Sequence, residues 1–175
     1  IDKDNIKTRS YNTIDGYRAA ELEFKNSSGE LIAKDEEALK CIIKTNAAGA
    51  LALSAEALGI MQICFDTTLE YLKTRKQFGK SVGSFQAIQH RLVDMMLEIE
   101  QVKSSVMLAS ATFEADEKTR EKHVSAAKNL VGRAGKIIAE ETIQMHGGIA
   151  MTWEYSIAHY AKRLIMIDHL MGDAD

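Results

Sequence analysis

The run 85–113, FQAIQHRLVDMMLEIEQVKSSVMLASATF, decides the fold class. Phe85, Ile88, Leu92, Met95, Ile99, Val102, Val106, Ala109 and Phe113 follow one another at steps of three and four without a miss. That spacing keeps one face of an α-helix apolar for roughly four heptads, and a seam of that length must be buried against other helices. The helix opens around Ser84. Upstream, a longer helix is expected from Asp35, an N-cap with Glu36 and Glu37 in the first turn, where the helix dipole favours acids. It runs to about Lys76 and is ended by Gly79. Downstream, residues 116–123 read as a solvated charged loop. A third helix turns Val124, Ala127, Val131, Ala134 and Ile138 inward and stops at Gly147-Gly148. A fourth, capped by Thr152, carries Ile157, Tyr160, Leu164, Ile167 and Met171. Four long amphipathic helices with short links predict an all-α, antiparallel four-helix bundle over residues 35–175.

Residues 1–34 are different in kind. Ala20, Leu22 and Phe24 alternate with Glu21, Glu23 and Lys25, the period of a half-buried strand. Asp15-Gly16 before them and Asn26-Ser27-Ser28-Gly29 after them are turn chemistry. A few strands cannot bury a core alone, so this segment reads as the tail of a β-domain, and the chain as a piece of a longer protein. In the 175 residues as a whole, proline is absent and glycine numbers 11, which argues against a loop-rich or all-β domain. Hydrophobic residues make up 46% and charged residues 27%, so the chain has the means to fold. A net charge of −3 gives no electrostatic pull toward nucleic acid.

Cys41 and Cys64 fall in one expected helix, roughly 34 Å apart at 1.5 Å per residue. They cannot be bridged within the chain, and a reducing compartment is expected. Residues 45–65 carry a single charge, Glu56. Asn46, Ser54, Gln62 and much alanine and glycine make a helix buried by protein the better reading than a membrane span. Small residues from Ala47 to Gly59 suit close packing of helix backbones, and an oligomer is expected.

Three constellations bear on chemistry. His90, His123, His146, His159 and His169 all lack the preceding acid that a di-iron bundle requires, and the two cysteines match no zinc spacing, so no metal is expected. Arg75-Lys76-Gln77-Phe78-Gly79 with Phe85-Gln86 reads either as cations answering a helix dipole or as a corner for an anionic, planar ligand. In the second reading Arg75 pairs with phosphate, Phe78 offers a face, and Gln86 supplies an amide near a helix N-terminus. Gln144-Met145-His146-Gly147-Gly148 reads either as a helix C-cap or as a turn that lets a ligand approach the backbone.

The order and spacing of Tyr71-Leu-Lys-Thr-Arg-Lys-Gln-Phe-Gly79, Phe85-Gln86, Ile143-Gln-Met-His-Gly-Gly148 and Thr152-Trp-Glu154 resemble the C-terminal helical domain of acyl-CoA dehydrogenases. The resemblance covers roughly residues 47–172. Thr13-Ile-Asp-Gly-Tyr-Arg-Ala-Ala-Glu-Leu-Glu-Phe24 is similar to the last strands of that family's middle β-domain. Trp153-Glu154-Tyr155 and the 171–175 stretch resemble bacterial small-subunit members. The resemblance implies an FAD-dependent oxidoreductase of fatty acid metabolism that makes a trans-2-enoyl-CoA from an acyl-CoA and passes electrons to an electron-transfer flavoprotein. It places Arg75, Phe78 and Gln86 at the FAD diphosphate and adenosine half, and Gln144, Gly147 and Gly148 at a neighbouring subunit's FAD. It also implies a homotetrameric dimer of dimers, or a heteromer with a second dehydrogenase subunit.

Two departures bear on catalysis. The family's glutamate base would fall at Met171, whose thioether takes no proton. The alternative location, near 48–50 in the first long helix, has no acid either. Glu56 is the remaining ionisable group there, on the order of 10 Å away, and is either a base or a buried, hydrogen-bonded or interface carboxylate. Two functions stay open: a catalytic flavoprotein subunit, inactive as this piece, or a structural subunit that keeps the fold and catalyses nothing.

Overall fold

The computed structural model describes residues 5–174; the expectations for Ile1 and Asp175 lie outside them. The chain divides into two compact units, one up to Thr45 and one from Asn46 onward. In the first, β1 (Ile6–Asn12) pairs antiparallel with β2 (Arg18–Phe24), in a register that sets Ile6 opposite Phe24 and Arg9 opposite Glu21. Gly16, at φ 86°, closes the turn by donating to the Thr13 carbonyl at 3.0 Å. The period-2 pattern thus forms a strand. Leu22 and Phe24 are nonetheless exposed, not half-buried, because a two-stranded ribbon supplies no layer to cover them.

Helix α1 (Asp35–Thr74) opens at Asp35, and its buried residues from Ala47 to Leu72 keep the helical period. By length and composition it could cross a membrane, an 18-residue stretch of it averaging a hydropathy of 1.6. Its buried face is assigned to the bundle: Ala57, Met61, Cys64 and Leu72 are inaccessible, and Met61 Cε lies 3.5 Å from where a Cβ on Gly135 would be. The buried hydroxyls of Ser54 and Thr68 donate to the carbonyls of Ala50 and Cys64, one turn back, so neither is left unpaired. Both cysteines are free, Cys41 exposed and Cys64 buried.

A two-residue strand pair, β3 (Lys76–Gln77) and β4 (Lys80–Ser81), follows, then a 3-10 turn over Val82–Ser84. Helix α2 (Gln86–Ala111) buries Leu92, Met95, Ile99, Val102, Val106 and Ala109, the seam read from the sequence. Helix α3 (Glu117–His146) packs against both α2 and α4 (Ser156–Asp168), with a 3-10 turn over Gly147–Met151 between α3 and α4. The chain is mainly helical, four helices with a few short strands, as expected.

Four boundaries differ from expectation. The 116–123 stretch is not a loop but the cap and first turns of α3, because the Asp116 carboxylate accepts the Thr119 N–H at 3.1 Å. Hydrogen bonding from the Thr119 side chain, and next from its N–H, holds the Asp116 carboxyl below its ordinary value. Helix α1 ends at Thr74, two residues early, where the strand pair takes over. Helix α2 starts two residues late, at Gln86. Thr152 does not cap α4; its hydroxyl donates to the Ile149 carbonyl at 2.8 Å and closes the 3-10 turn, while Tyr155 stands at the cap and Met171 lies beyond the helix.

Ile138 is inaccessible at the centre of the core. Ile138→Ala should cost about 2–5 kcal/mol and Ile138→Val about 0.5–1.5 kcal/mol, read as shifts in the urea midpoint.

Candidate functional site

Arg75 leaves α1 with its backbone fixed at both ends. Its N–H donates to the Tyr71 carbonyl and its own carbonyl accepts the Val82 N–H, each at 2.8 Å. The guanidinium is exposed and makes no ion pair among the described residues. Phe78 and Gly79 form the two-residue loop between β3 and β4, at φ 54° and 80°. Positive φ at both positions suits a tight hairpin, and Asn-Gly is the usual choice. A phenylalanine there is strained and points outward, 91% exposed, with the Phe85 ring edge-on at 6.2 Å.

Lys80 Nζ stands 4.2 Å from the centre of the Phe85 ring. Phe85 is the N-cap of α2 and offers no side-chain acceptor, so the first N–H groups of α2 open beside exposed Gln86. An uncapped helix N-terminus, an exposed guanidinium and an outward ring gather the elements of an anion and aromatic-stacking site. Gly83 was not singled out in the sequence. A Cβ there would meet the Leu72 carbonyl oxygen at 3.1 Å, so this glycine lets the 3-10 turn lie against α1.

The second constellation sits at the end of α3. Gly147, at φ 68°, is its C-cap and donates to the Ile143 carbonyl. Around Gly147 and Gly148 a Cβ would meet nothing within 4 Å, and Gln144 is exposed. The turn is therefore open to an approaching group. Tyr71 ties it to the first corner: its hydroxyl donates to the His146 carbonyl at 3.3 Å, three residues before the helix end that leads to Arg75.

The third location is Met171, at φ 57° and followed by Gly172 at φ 101°. Lys128 Nζ holds this turn by donating to the carbonyls of Asp168 (2.9 Å) and Gly172 (2.6 Å), and Asn129 donates to that of Ala174 (2.8 Å). Burial pushes the Lys128 ammonium below its ordinary value, opposed by the charges of Asp168 and Asp173. The Met171 side chain rests on Gly49, whose missing Cβ would stand 3.3 Å from Met171 Cε. The two positions at which the family resemblance implies a base therefore meet at one point, and neither bears a carboxylate. A cavity of about 170 Å³ beside them is bordered by Met171, Lys128, Glu121 and Asp173. The last two are carboxylates that periodicity gave no reason to place there. Glu56 is engaged elsewhere, in a two-pronged pair with Arg163 at 2.6 and 2.8 Å.

The family model described as "Acyl-CoA dehydrogenase, C-terminal domain" matches residues 39–172. The chain is 35% identical over 123 residues to acyl-CoA dehydrogenase IpdE2 of Mycolicibacterium smegmatis, covering 70% of this chain and 38% of that protein. It is 31% identical to the probable acyl-CoA dehydrogenase YngJ of Bacillus subtilis, covering 82% and 38%. Among solved structures, a variant of the Tcur3481-Tcur3483 steroid ACAD aligns with a TM-score of 0.88 at 28% identity, over 98% of this chain and 46% of that one. The chain thus spans less than half the length of these relatives.

Relief of the left-handed strain gives a direct test. Phe78→Asn should raise the thermal midpoint by roughly 2–4 °C, equivalent to about 1 kcal/mol, while Phe78→Val should lower it; circular-dichroism melts compare the two.

Proposed function

The chain belongs to the acyl-CoA dehydrogenase family, and from that premise we propose that it is the C-terminal part of an FAD-dependent subunit of such an enzyme. The observation that carries the proposal is Arg75, an exposed guanidinium with no ion pair among the described residues, beside the strained Phe78 and the uncapped start of α2. These groups fit a cofactor with a diphosphate and a flat ring system. Arg75 would hold the diphosphate, Phe78 and Gln86 the adenosine half, and Gln144, Gly147 and Gly148 would reach the cofactor of a neighbouring subunit. FAD, when bound, supplies the hydride acceptor for α,β-dehydrogenation of an acyl-CoA thioester. An electron-transfer flavoprotein is the proposed onward acceptor, and a bacterial cytoplasm the proposed location. Completion of one site by another subunit requires an oligomer, a dimer of dimers or a heteromer.

The two positions at which the resemblance places a base carry no carboxylate in this chain. Met171 over Gly49 provides no basic atom, and Glu56 is committed to Arg163. That convergence favours a second reading, a subunit of a heteromer that keeps cofactor and interface while a partner chain supplies the carboxylate.

Arg75→Ala in the full-length protein should weaken flavin retention about 10–100-fold, the equivalent of about 1.5–3 kcal/mol, with little change in melting. Flavin absorbance of the purified protein reads it, and a colourless wild-type protein contradicts the cofactor assignment. Without a partner the wild-type protein should dehydrogenate saturated acyl-CoAs poorly, by roughly 10²–10⁴-fold relative to an enzyme with its base. Met171→Glu should recover part of that turnover. Robust wild-type turnover would place the base in this chain, with Asp173→Asn and Glu121→Gln as the deciding variants.

A further inference from the structure

His146 ends α3 and stands directly before Gly147-Gly148. It is 4% exposed, stacked on Tyr71 with ring centres 4.5 Å apart and tilted against Tyr155 at 5.4 Å. Nδ1 lies 2.8 Å from the Thr142 carbonyl oxygen, which can only accept, so Nδ1 carries the hydrogen and Nε2 of the neutral ring is a lone pair. Nε2 is buried and has no hydrogen-bond partner among the described residues. The same residue's carbonyl accepts the Tyr71 hydroxyl. One residue is therefore gripped by Tyr71 at both ring and backbone, and the open glycine turn hangs from it.

We infer that His146 is a positioning residue for the Gly147-Gly148 turn and performs that role only as the neutral imidazole, so that acid releases the turn. Its consequence for flavin rests on the function proposed above; the placement of the turn does not.

A proton on Nε2 would create an N–H with no acceptor in a site closed to water. The groups that face the ring give it no counter-charge. Tyr71 on α1 and Tyr155 before α4 are phenols, and burial pushes Tyr155 above its ordinary value. Thr142 lies one turn back on α3, and Cys64 of α1 beside it has its thiol pushed up by burial to about 12. Asp66 and Glu70 of α1 line the surface pocket bounded by the two tyrosines. A charged ring has to swing outward or admit water, and either movement breaks the stack. Burial pushes the imidazole below its ordinary value, with the hydrogen bond to Thr142 opposing. Stability from the neutral ring is therefore complete above about pH 6.5, where the unfolded histidine is also neutral, and is lost as pH falls through the lower folded value.

The test follows the glycine amides of the chain by nuclear magnetic resonance between about pH 5 and pH 8. The Gly147 and Gly148 signals should titrate with a midpoint below that of a free imidazole, and His146→Phe, which keeps the stack but binds no proton, should abolish the titration. If His146→Phe does not fold, His146→Gln serves as the neutral replacement. Tyr71→Phe should displace both signals even at neutral pH. Glycine signals that stay flat, or that titrate unchanged in the variant, overturn the inference. In the full-length protein, flavin retention should fall several-fold in acid, and far less in His146→Phe. A protein colourless at every pH, with titrating glycines, would refute the flavin assignment and uphold the positioning role.

Discussion

The bundle depends on close approach at α3, the helix that packs against both α2 and α4. That approach is possible because α3 withholds side chains where its neighbours press in. A Cβ on Gly132 would stand 2.8 Å from Ala174 Cβ and collide with the Asp168 carboxylate; one on Gly135 would touch Met61 of α1 and Leu164 of α4. About one turn before Gly132 the helix carries Lys128 and Asn129, whose donors meet backbone carbonyls at and after the end of α4. One helix thus sets the spacing of the core and the position of Met171. Its C-terminal end sets the Gly147-Gly148 turn through His146 and Tyr71.

Much of this was legible because it is local. The seam from Leu92 to Ala109 and the inward residues of α3 lie on the face that three-and-four spacing selects. Where local signals competed, the reading failed. The charges of residues 116–123 look like a solvated loop, yet Asp116 caps Thr119 and the charges ride the first turns of a helix. Phe78-Gly79 is not a usual hairpin dipeptide, so β3 and β4 left no trace in the pattern. Thr152 has the chemistry of an N-cap, but its hydroxyl is occupied within the preceding 3-10 turn.

The candidate site divides in the same way. Arg75, Phe78, Gln86 and the Gly147-Gly148 pair could be named from their motifs, since each stands at an element end that the sequence marks. Their connection through Tyr71 could not be read, because 75 residues separate Tyr71 from His146 and no periodicity spans that distance. The meeting of Met171 with Gly49 is equally invisible in one dimension. Two separate doubts about a base become one structural fact: a thioether fills the space above a glycine. The pairing of Glu56 with Arg163 is tertiary in the same way, since 107 positions separate them.

The two cysteines have a consequence for handling the molecule. Cys64 is inaccessible, and with its thiol raised to about 12 it presents almost no thiolate at neutral pH. Cys41 is exposed early in α1. An alkylating dye or spin label applied to the native chain should therefore attach at one place without mutagenesis, giving a ready-made reporter on the first turns of the long helix. Cys64 would take up label only when the core opens, which turns the ratio of the two labels into a gauge of unfolding.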